Sequence, residues 1–304
     1  MPAKRLTLLD LPITVANEVL EKLEIEELMT CRKVCRSLRT AVDRLGANFT
    51  DLEVILNKNN QYVSICLDGI TVKYSKSSRA NYLNIFFNDL KILLKHVSHL
   101  SIQTVWKEVK YREYFVRFLV DVLKEEVPSQ TTKQTKGNLH IESISLHTVS
   151  IDNVLLIIPL FNSQTLRSIE LGGIHNRTSR KFERIFRLDQ WKNAKYFTFW
   201  DTWSKCPPIE HFLHFEEFRF ETQDFPIQNV IKIRDDLLQR CTFQECTISV
   251  LKSNFKPVEF ARIFQQDYAG DDKFTIEYSN GNSKFKINCG EYHELMWEFE
   301  IERC

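Results

Sequence analysis

From about residue 98 onward, a short apolar strand pattern alternates with an amphipathic helix pattern, and this alternation limits the fold more than any other feature. The strand patterns are HLSI (99–102), ESISL (142–146), RSIEL (167–171), KYFTF (195–199), EFRF (217–220) and QECTI (244–248). Strands joined by helices favour parallel pairing, and leucine-rich-repeat-like solenoids have units of about 20–29 residues. We therefore expect an irregular strand–helix solenoid as a recognition domain over residues 98–265, with a doubly wound α/β domain as the structural alternative.

The alternation within each strand predicts which side chains face the core and which face outward. The last inward residues are Ile102, Leu146, Leu171, Phe199, Phe220 and Ile248. The outward residues are Ser145, Glu170, Tyr196, Thr198, Trp200, Arg219 and Thr247. Because exposed Tyr, Trp and Arg dominate the energetics of protein interfaces, we predict a substrate-binding surface formed by Tyr196, Trp200, Trp203 and Arg219. The alternative is that the aromatic side chains cover the edge of the core.

Three further segments surround or interrupt this run. Residues 49–97 contain three period-2 patterns followed by a helical pattern over 81–95, which predicts a β-meander and a connecting helix. The polar stretch 127–138 lacks apolar periodicity and is expected to be an exposed, mobile loop. Residues 266–304 are expected to form a hairpin that turns at Asn280-Gly281, with a final strand in LMWEFEIE.

The first fifty residues have helical periodicity instead. One apolar stripe is formed by Leu11, Val15, Val19, Leu20 and Leu23, and a second by Leu28, Cys31, Val34, Cys35, Leu38 and Val42. Two or three helices of this size are at the lower limit, about 40 residues, for hiding such a surface without help. Part of the stripe should therefore be covered, either by the rest of this chain or by another protein.

Residues 8–45 resemble the F-box motif in order and spacing. The residues that carry the resemblance are Leu11-Pro12, Val15, Val19-Leu20, Leu23, Glu27-Leu28 and Val34-Cys35. Two positions depart from it, because Ile13 stands where many F-boxes carry an acidic residue and Leu38 where many carry a tryptophan. The resemblance implies a three-helix F-box over residues 6–48.

An F-box implies docking on the Skp-type adaptor of a cullin ubiquitin ligase. The residues expected to bind the adaptor are Leu11, Pro12, Val15, Val19, Leu20, Leu23, Leu28, Val34, Cys35 and Leu38. The order of F-box, meander, strand–helix units and hairpin resembles nematode F-box proteins with an FTH domain. The resemblance implies an α+β / α/β protein that is not an enzyme and brings an unknown protein substrate to the ligase. A non-degradative scaffold and an α/β enzyme are the alternatives.

The sequence contains few residue patterns that are typical of catalysis, cofactor binding or metal binding. The common nucleotide, hydrolase and zinc-protease motifs are absent, so we expect no cofactor and no catalytic residue. Cys206, Glu210, His211 and His214 form the best candidate metal cluster, but no second ligand set accompanies them, so no metal is expected.

Charge and hydropathy set the expected surroundings of the chain. Lys and Arg number 41 against 40 Asp and Glu, whereas nucleic-acid binding usually needs a basic excess, so no nucleic acid is expected. No run of 18 apolar residues occurs, so no membrane span is expected. Eight cysteines without a secretory signal are typical of reduced thiols, which favours the cytoplasm and/or the nucleus.

Overall fold

The structure is a computed structural model, and it describes residues 12–23, 25–45, 50–57, 62–75, 81–105, 109–125, 139–281 and 283–304. The chain divides into two compact units, each described here by itself. The first comprises residues 1–130 and 139–141, and the second comprises residues 131–138 and 142–304. The predicted mobile loop, 127–138, lies outside the described residues.

The first unit begins with three short helices: α1 (Ile13–Leu20), α2 (Ile25–Val34) and α3 (Arg36–Leu45). Leu20, Leu28, Leu38, Ala41 and Val42 form a small buried cluster between them. The three helices that the sequence predicts are therefore present, and they share an apolar core of their own.

A four-stranded sheet follows in the first unit, built from β1 (Asp51–Asn57), β2 (Tyr62–Leu67), β3 (Ile70–Ser75) and β4 (His99–Thr104). Its order is β4-β1-β2-β3, in which β1, β2 and β3 are antiparallel neighbours. The predicted meander is confirmed. Its second turn is the two-residue loop Asp68-Gly69, and both residues have the positive φ that a type I′ hairpin requires.

The position of strand β4 shows that the domain boundary predicted at residue 98 is wrong. The sequence places this strand at the start of the recognition domain at residue 98, but β4 pairs in parallel with β1 and belongs to the first unit. Local pattern predicts the strand but not its partner. Helices α4 (Tyr82–Leu93) and α5 (Val109–Glu125) also belong to this unit, and α4 confirms the predicted connecting helix.

A buried polar network joins the helices of the first unit to its sheet. The Arg32 guanidinium of α2 donates to Asp89 Oδ1 of α4 at 2.9 Å, and the Tyr74 hydroxyl of β3 donates to Asp89 Oδ2 at 2.9 Å. All three residues are buried. Burial, followed by the nearby Asp89 carboxylate, raises the pKa of Tyr74 far above its ordinary value, so its hydroxyl keeps the proton that it donates.

The second unit contains eight strands and five α-helices among the residues described. In chain order they are β5 (Ser143–His147), α6 (Ile151–Ile157), β6 (Ser168–Gly172), α7 (Ser179–Phe186), α8 (Asp189–Asn193), β7 (Tyr196–Trp203), β8 (Glu217–Thr222), α9 (Ile227–Lys232), β9 (Glu245–Leu251), α10 (Pro257–Phe264), β10 (Phe274–Ser279), β11 (Lys284–His293) and β12 (Met296–Arg303). Strands β5 to β9 are consecutive parallel neighbours, and β12, β11 and β10 continue the sheet antiparallel.

Burial differs among the parallel strands. In β5 and β8 the inward side chains are buried while their neighbours remain at least partly exposed, whereas residues 246–250 of β9 are all buried. All six predicted inward residues of the strand–helix run are buried. A doubly wound sheet is covered on both faces and has continuously buried strands, a pattern that β5 and β8 lack and β9 has. The opposite side, here called the open face, consists of the alternate strand positions that include Glu170 and Arg219.

The C-terminal segment forms as predicted. Strands β10 and β11 are an antiparallel pair, with Gly281 at positive φ in the turn between them and a bond from the Asn280 amide to the Ser283 carbonyl. Strand β12 is the predicted final strand. Proline stands at the start of two helices, since Pro226 precedes α9 and Pro257 opens α10.

Candidate docking surfaces

The apolar residues of the first three helices separate into a buried and an exposed set. Leu20, Leu28 and Leu38, predicted to bind an adaptor, are buried in the three-helix cluster. This corrects their assignment, because a side chain enclosed by its own helices supports the fold and offers no area to a partner. Leu23 and Cys35 pack partly buried against the same cluster. Leu11 lies outside the described residues.

The exposed set includes residues of α1 and the end of α2. Val15 and Val19 are each 40% exposed, and they lie one turn apart on the same side of α1. Val34, the last residue of α2, is 68% exposed, and Pro12 at the start of α1 is also exposed. Val15 and Val19 thus leave apolar area accessible on one flank of α1.

The second candidate surface is the open face of the second unit, where Glu170 is the centre of a hydrogen-bonded network. Ser145 Oγ donates to its carboxylate at 2.8 Å, Trp200 Nε1 donates at 2.5 Å, and His147 Nε2 lies 3.4 Å from Oε1. Gly172 makes this possible, because a Cβ at this position would lie 2.6 Å from the His147 ring. These bonds hold the Trp200 ring in a fixed orientation on the surface.

The Glu170 network should make stability depend on pH. The hydrogen bond with His147, followed by those from Trp200 and Ser145, outweighs burial and lowers the pKa of Glu170 from 4.5 to about 2. The Glu170 carboxylate therefore contributes fully to the free energy of unfolding above pH 4.5, and this contribution is lost as the pH falls towards 2. Solvent screening limits it to about 1 kcal/mol. Thermal unfolding from pH 2 to 7 should show Glu170→Gln less stable than the parent near neutrality, with the difference shrinking below pH 4.5. A difference independent of pH would contradict this assignment.

Arg219 lies between two exposed aromatic rings. Its guanidinium carbon is 5.7 Å from the centre of the Trp200 ring and 5.8 Å from that of Tyr292, and Nη2 donates to Glu298 at 2.9 Å. Trp200 is 47% exposed, and Tyr196 on the same strand is partly buried. Three of the four predicted substrate-binding residues thus lie on the open face. Tyr292 was missed, because it follows a register irregularity near the end of β11 that no local signal marks.

Trp203 is a correction, because it is only 7% exposed and packs against Phe182 and Phe199, with ring centres at 4.1 and 4.4 Å. The register between β7 and β8 shifts between Phe199 and Thr202, so that two residues of β7 have no partner on β8. An insertion of two residues leaves the alternation unchanged, so Trp203 faces inward like Phe197 and Phe199, and alternation along the strand itself predicts its burial. For Trp203, the alternative of an aromatic covering the core is correct.

The two tryptophans should differ sharply in stability measurements. Trp203→Leu is expected to lower the free energy of unfolding by about 2 kcal/mol, because it leaves space between packed rings. Trp200→Leu, the same change three residues earlier, should cost less than about 1 kcal/mol, since half of that ring is already in water. Urea denaturation of both variants measures the difference. Equal losses would mean that the burial of the two rings is not as described.

The candidate metal cluster is not brought together. Glu210 pairs with Lys232, His211 lies 3.6 Å from Glu183, and His214 Nε2 lies 2.8 Å from the Trp191 carbonyl. Burial, with Asp224 nearby, raises the pKa of Cys206 to about 12, which keeps the thiol protonated. Within the described ranges, no group of three or more His, Cys, Asp or Glu side chains could hold a metal ion. The helices in the same ranges include none long and apolar enough to cross a membrane.

Comparison with known proteins gives two family matches and a relative. The model of the F-box domain matches residues 8–50, and that of the FTH domain matches residues 128–267. The chain is similar to the F-box A protein 224 of Caenorhabditis elegans, with 27% identity over 317 residues, covering 92% of this chain and 76% of that protein. The first match spans the three helices with the exposed valines, and the second spans strands β5 to β9.

Proposed function

We propose that this chain, which matches the models of the F-box domain and the FTH domain as nematode-type F-box proteins do, is the substrate-recognition subunit of a Skp–cullin–F-box E3 ubiquitin ligase. The observation that carries the proposal is the match of the F-box domain to helices whose Val15 and Val19 are exposed on one flank. In this proposal the module 6–48 docks on a Skp-type adaptor, and through it on a cullin. It acts in the cytoplasm, the nucleus or both.

The second unit is proposed to select the protein target, through a face that includes Tyr196, Trp200 and Arg219. Consecutive parallel strands, with one-sided burial in β5 and β8, support an irregular, leucine-rich-repeat-like solenoid for β5 to β9, an arrangement that leaves one strand face accessible. The chain itself then contributes no catalytic group. It raises the effective concentration of the target near a ubiquitin-loaded enzyme, which turns a bimolecular encounter into a nearly unimolecular one.

Reconstitution with purified proteins tests the docking step. The full chain, mixed with a Skp-type adaptor at low micromolar concentration, is expected to elute from a sizing column as a one-to-one complex that also retains a cullin. Trp200→Ala is the matched control, because it removes an exposed apolar side chain outside the F-box and should leave the complex intact. Separate elution of chain and adaptor at these concentrations would refute the proposal.

A non-degradative scaffold differs from a ligase subunit in what happens to the bound target. Proteins that co-purify with the full chain should have longer half-lives when the cullin is inhibited, and their ubiquitination in the reconstituted complex should require the chain. Adaptor binding with unchanged target half-lives would favour the scaffold instead.

A further inference from the structure

The open face of the second unit is far more acidic than the chain as a whole. Where the register of β5 to β12 is regular, this face carries eight glutamates and three basic residues, whereas the entire chain has a net charge of +1. The glutamates are Glu170, Glu217, Glu221, Glu245, Glu277, Glu298, Glu300 and Glu302. The basic residues are Arg219, Lys284 and Lys286.

Three of these carboxylates lie directly side by side. Glu217 of β8 is opposite Glu245 of β9, which is in turn opposite Glu302 of β12. In the described part of the chain none of the three is in an ion pair, although Lys286 of β11 is the cross-strand neighbour of Glu302. Like charges directly opposite each other destabilise a sheet. Burial and the carboxylates of Glu245 and Glu216 raise the pKa of Glu217, which agrees with this crowding.

The acidic row borders a depression with an aromatic wall. Its lining includes Tyr196, Thr198, Glu217, Arg219 and Glu245. A tyrosine ring beside two carboxylates suits a guanidinium or ammonium group, which is attracted by both the ring and the charges. The same carboxylates repel phosphate, so this surface disfavours nucleic acid.

The open face is not accessible everywhere. Thr247 and Ser249 of β9 lie on it in the register but are only 4% and 1% exposed. A partner can therefore reach this face at its glutamates and exposed aromatic rings, and not at the middle of β9.

We propose that the open face binds an extended protein segment carrying arginine or lysine at alternate positions, with one basic side chain seated between Tyr196, Glu217 and Glu245. Alternate residues of an extended segment face the same side, so their spacing matches that of Glu298, Glu300 and Glu302 along β12. Trp200 and Tyr292, on either side of Arg219, provide exposed apolar area next to the acidic row. This inference rests on the proposed function, because it specifies the chemistry of the target that the second unit selects.

The probe is a fluorescein-labelled dodecapeptide of alternating arginine and serine, with a glutamate–serine peptide of equal length as the charge-reversed control. Fluorescence anisotropy with the full chain should show binding of the first peptide, weakened by salt, and none of the second. Glu217→Gln with Glu245→Gln should weaken binding about tenfold, since two ion pairs are lost. Glu183→Gln with Glu259→Gln removes the same amount of charge, but from helices α7 and α10, and should change the affinity for the basic peptide less than about twofold.

Each other result has a definite meaning. Equal weakening in both double variants would mean that net charge alone attracts the peptide, which overturns the inference. Binding of the acidic peptide overturns it as well. So does a lack of binding of the basic peptide at 100 μM, which corresponds to about 5.5 kcal/mol. The Glu217 and Glu245 variant should unfold at the same or a higher temperature than the parent, and the single change Glu217→Gln gives a second reading if it does not. Adaptor co-elution is measured on the same samples. Loss of that complex with peptide binding intact would refute the proposed function but leave the chemistry of the face standing.

Discussion

Replacing Asp89 by alanine is expected to lower the free energy of unfolding of the first unit by about 3–5 kcal/mol. The change leaves the Arg32 guanidinium, buried with 6% of its side chain exposed, without the carboxylate that it contacts at 2.9 Å. Tyr74 loses the acceptor of its hydroxyl at the same time. The loss should appear in thermal unfolding followed by circular dichroism. It should also appear as faster amide exchange in α4 and β3, which reports on the first unit alone.

The control for Asp89 removes the network as a whole. Arg32→Met, Tyr74→Phe and Asp89→Leu together replace three polar groups by apolar ones of similar size, which removes the ion pair of Arg32 and Asp89 from both sides. This triple variant should lose less than about 2 kcal/mol, since a buried ion pair adds little net stability over a well-packed apolar substitute. If alanine at position 89 costs less than 1 kcal/mol, the network does not have the buried geometry described here.

The second large effect is expected on adaptor binding. Val15→Asp with Val19→Asp should weaken the complex at least about a hundredfold, because burial of each valine contributes about 1.5 kcal/mol and each new carboxylate must be desolvated. The free energy of unfolding should change by less than about 1 kcal/mol, since neither side chain is part of the buried three-helix cluster. Titration calorimetry with the purified Skp-type adaptor measures the first effect, and urea denaturation measures the second.

A matched variant on the same helix separates surface chemistry from added charge. Thr14→Asp with Asn17→Asp also adds two carboxylates to α1, but on the flank away from Val15 and Val19. Binding should remain within about threefold of the parent. Equal loss in both variants would indicate a general effect of negative charge, and unchanged binding of the valine variant would remove α1 from the interface.

Local sequence patterns predicted much of the secondary structure. Alternating apolar residues predicted β1, β2 and β3, and the positive φ of Asp68 and Gly69 fits the residue types at the turn between β2 and β3. The same alternation identified the inward residues of β5 to β9. The glutamates of the open face could have been found in the same way, because WEFEIE at 297–302 alternates acidic and apolar residues.

The remainder depended on contacts that local patterns do not contain. The pairing of β4 with β1 joins segments about fifty residues apart, and pattern does not choose between neighbours at that distance. The insertion after Phe199 leaves Trp200 and Asp201 without partners on β8, and no glycine or proline marks it. On α1, one apolar stripe contains both buried Leu20 and exposed Val15, and only packing of the three helices divides it.

The reversal of direction at β12 restricts how a longer version of this sheet could evolve. Strand β9 already has an antiparallel neighbour in β12, and β11 and β10 continue beyond it, so a duplicated unit added after β10 would find no parallel edge. Paralogues with wider surfaces should therefore carry their additional units between β5 and β9, with the closing hairpin preserved. Each inserted strand would move the strands that follow it about 4.8 Å away from the strands that precede it. The distance between binding residues on the two sides of the insertion would therefore change in fixed steps.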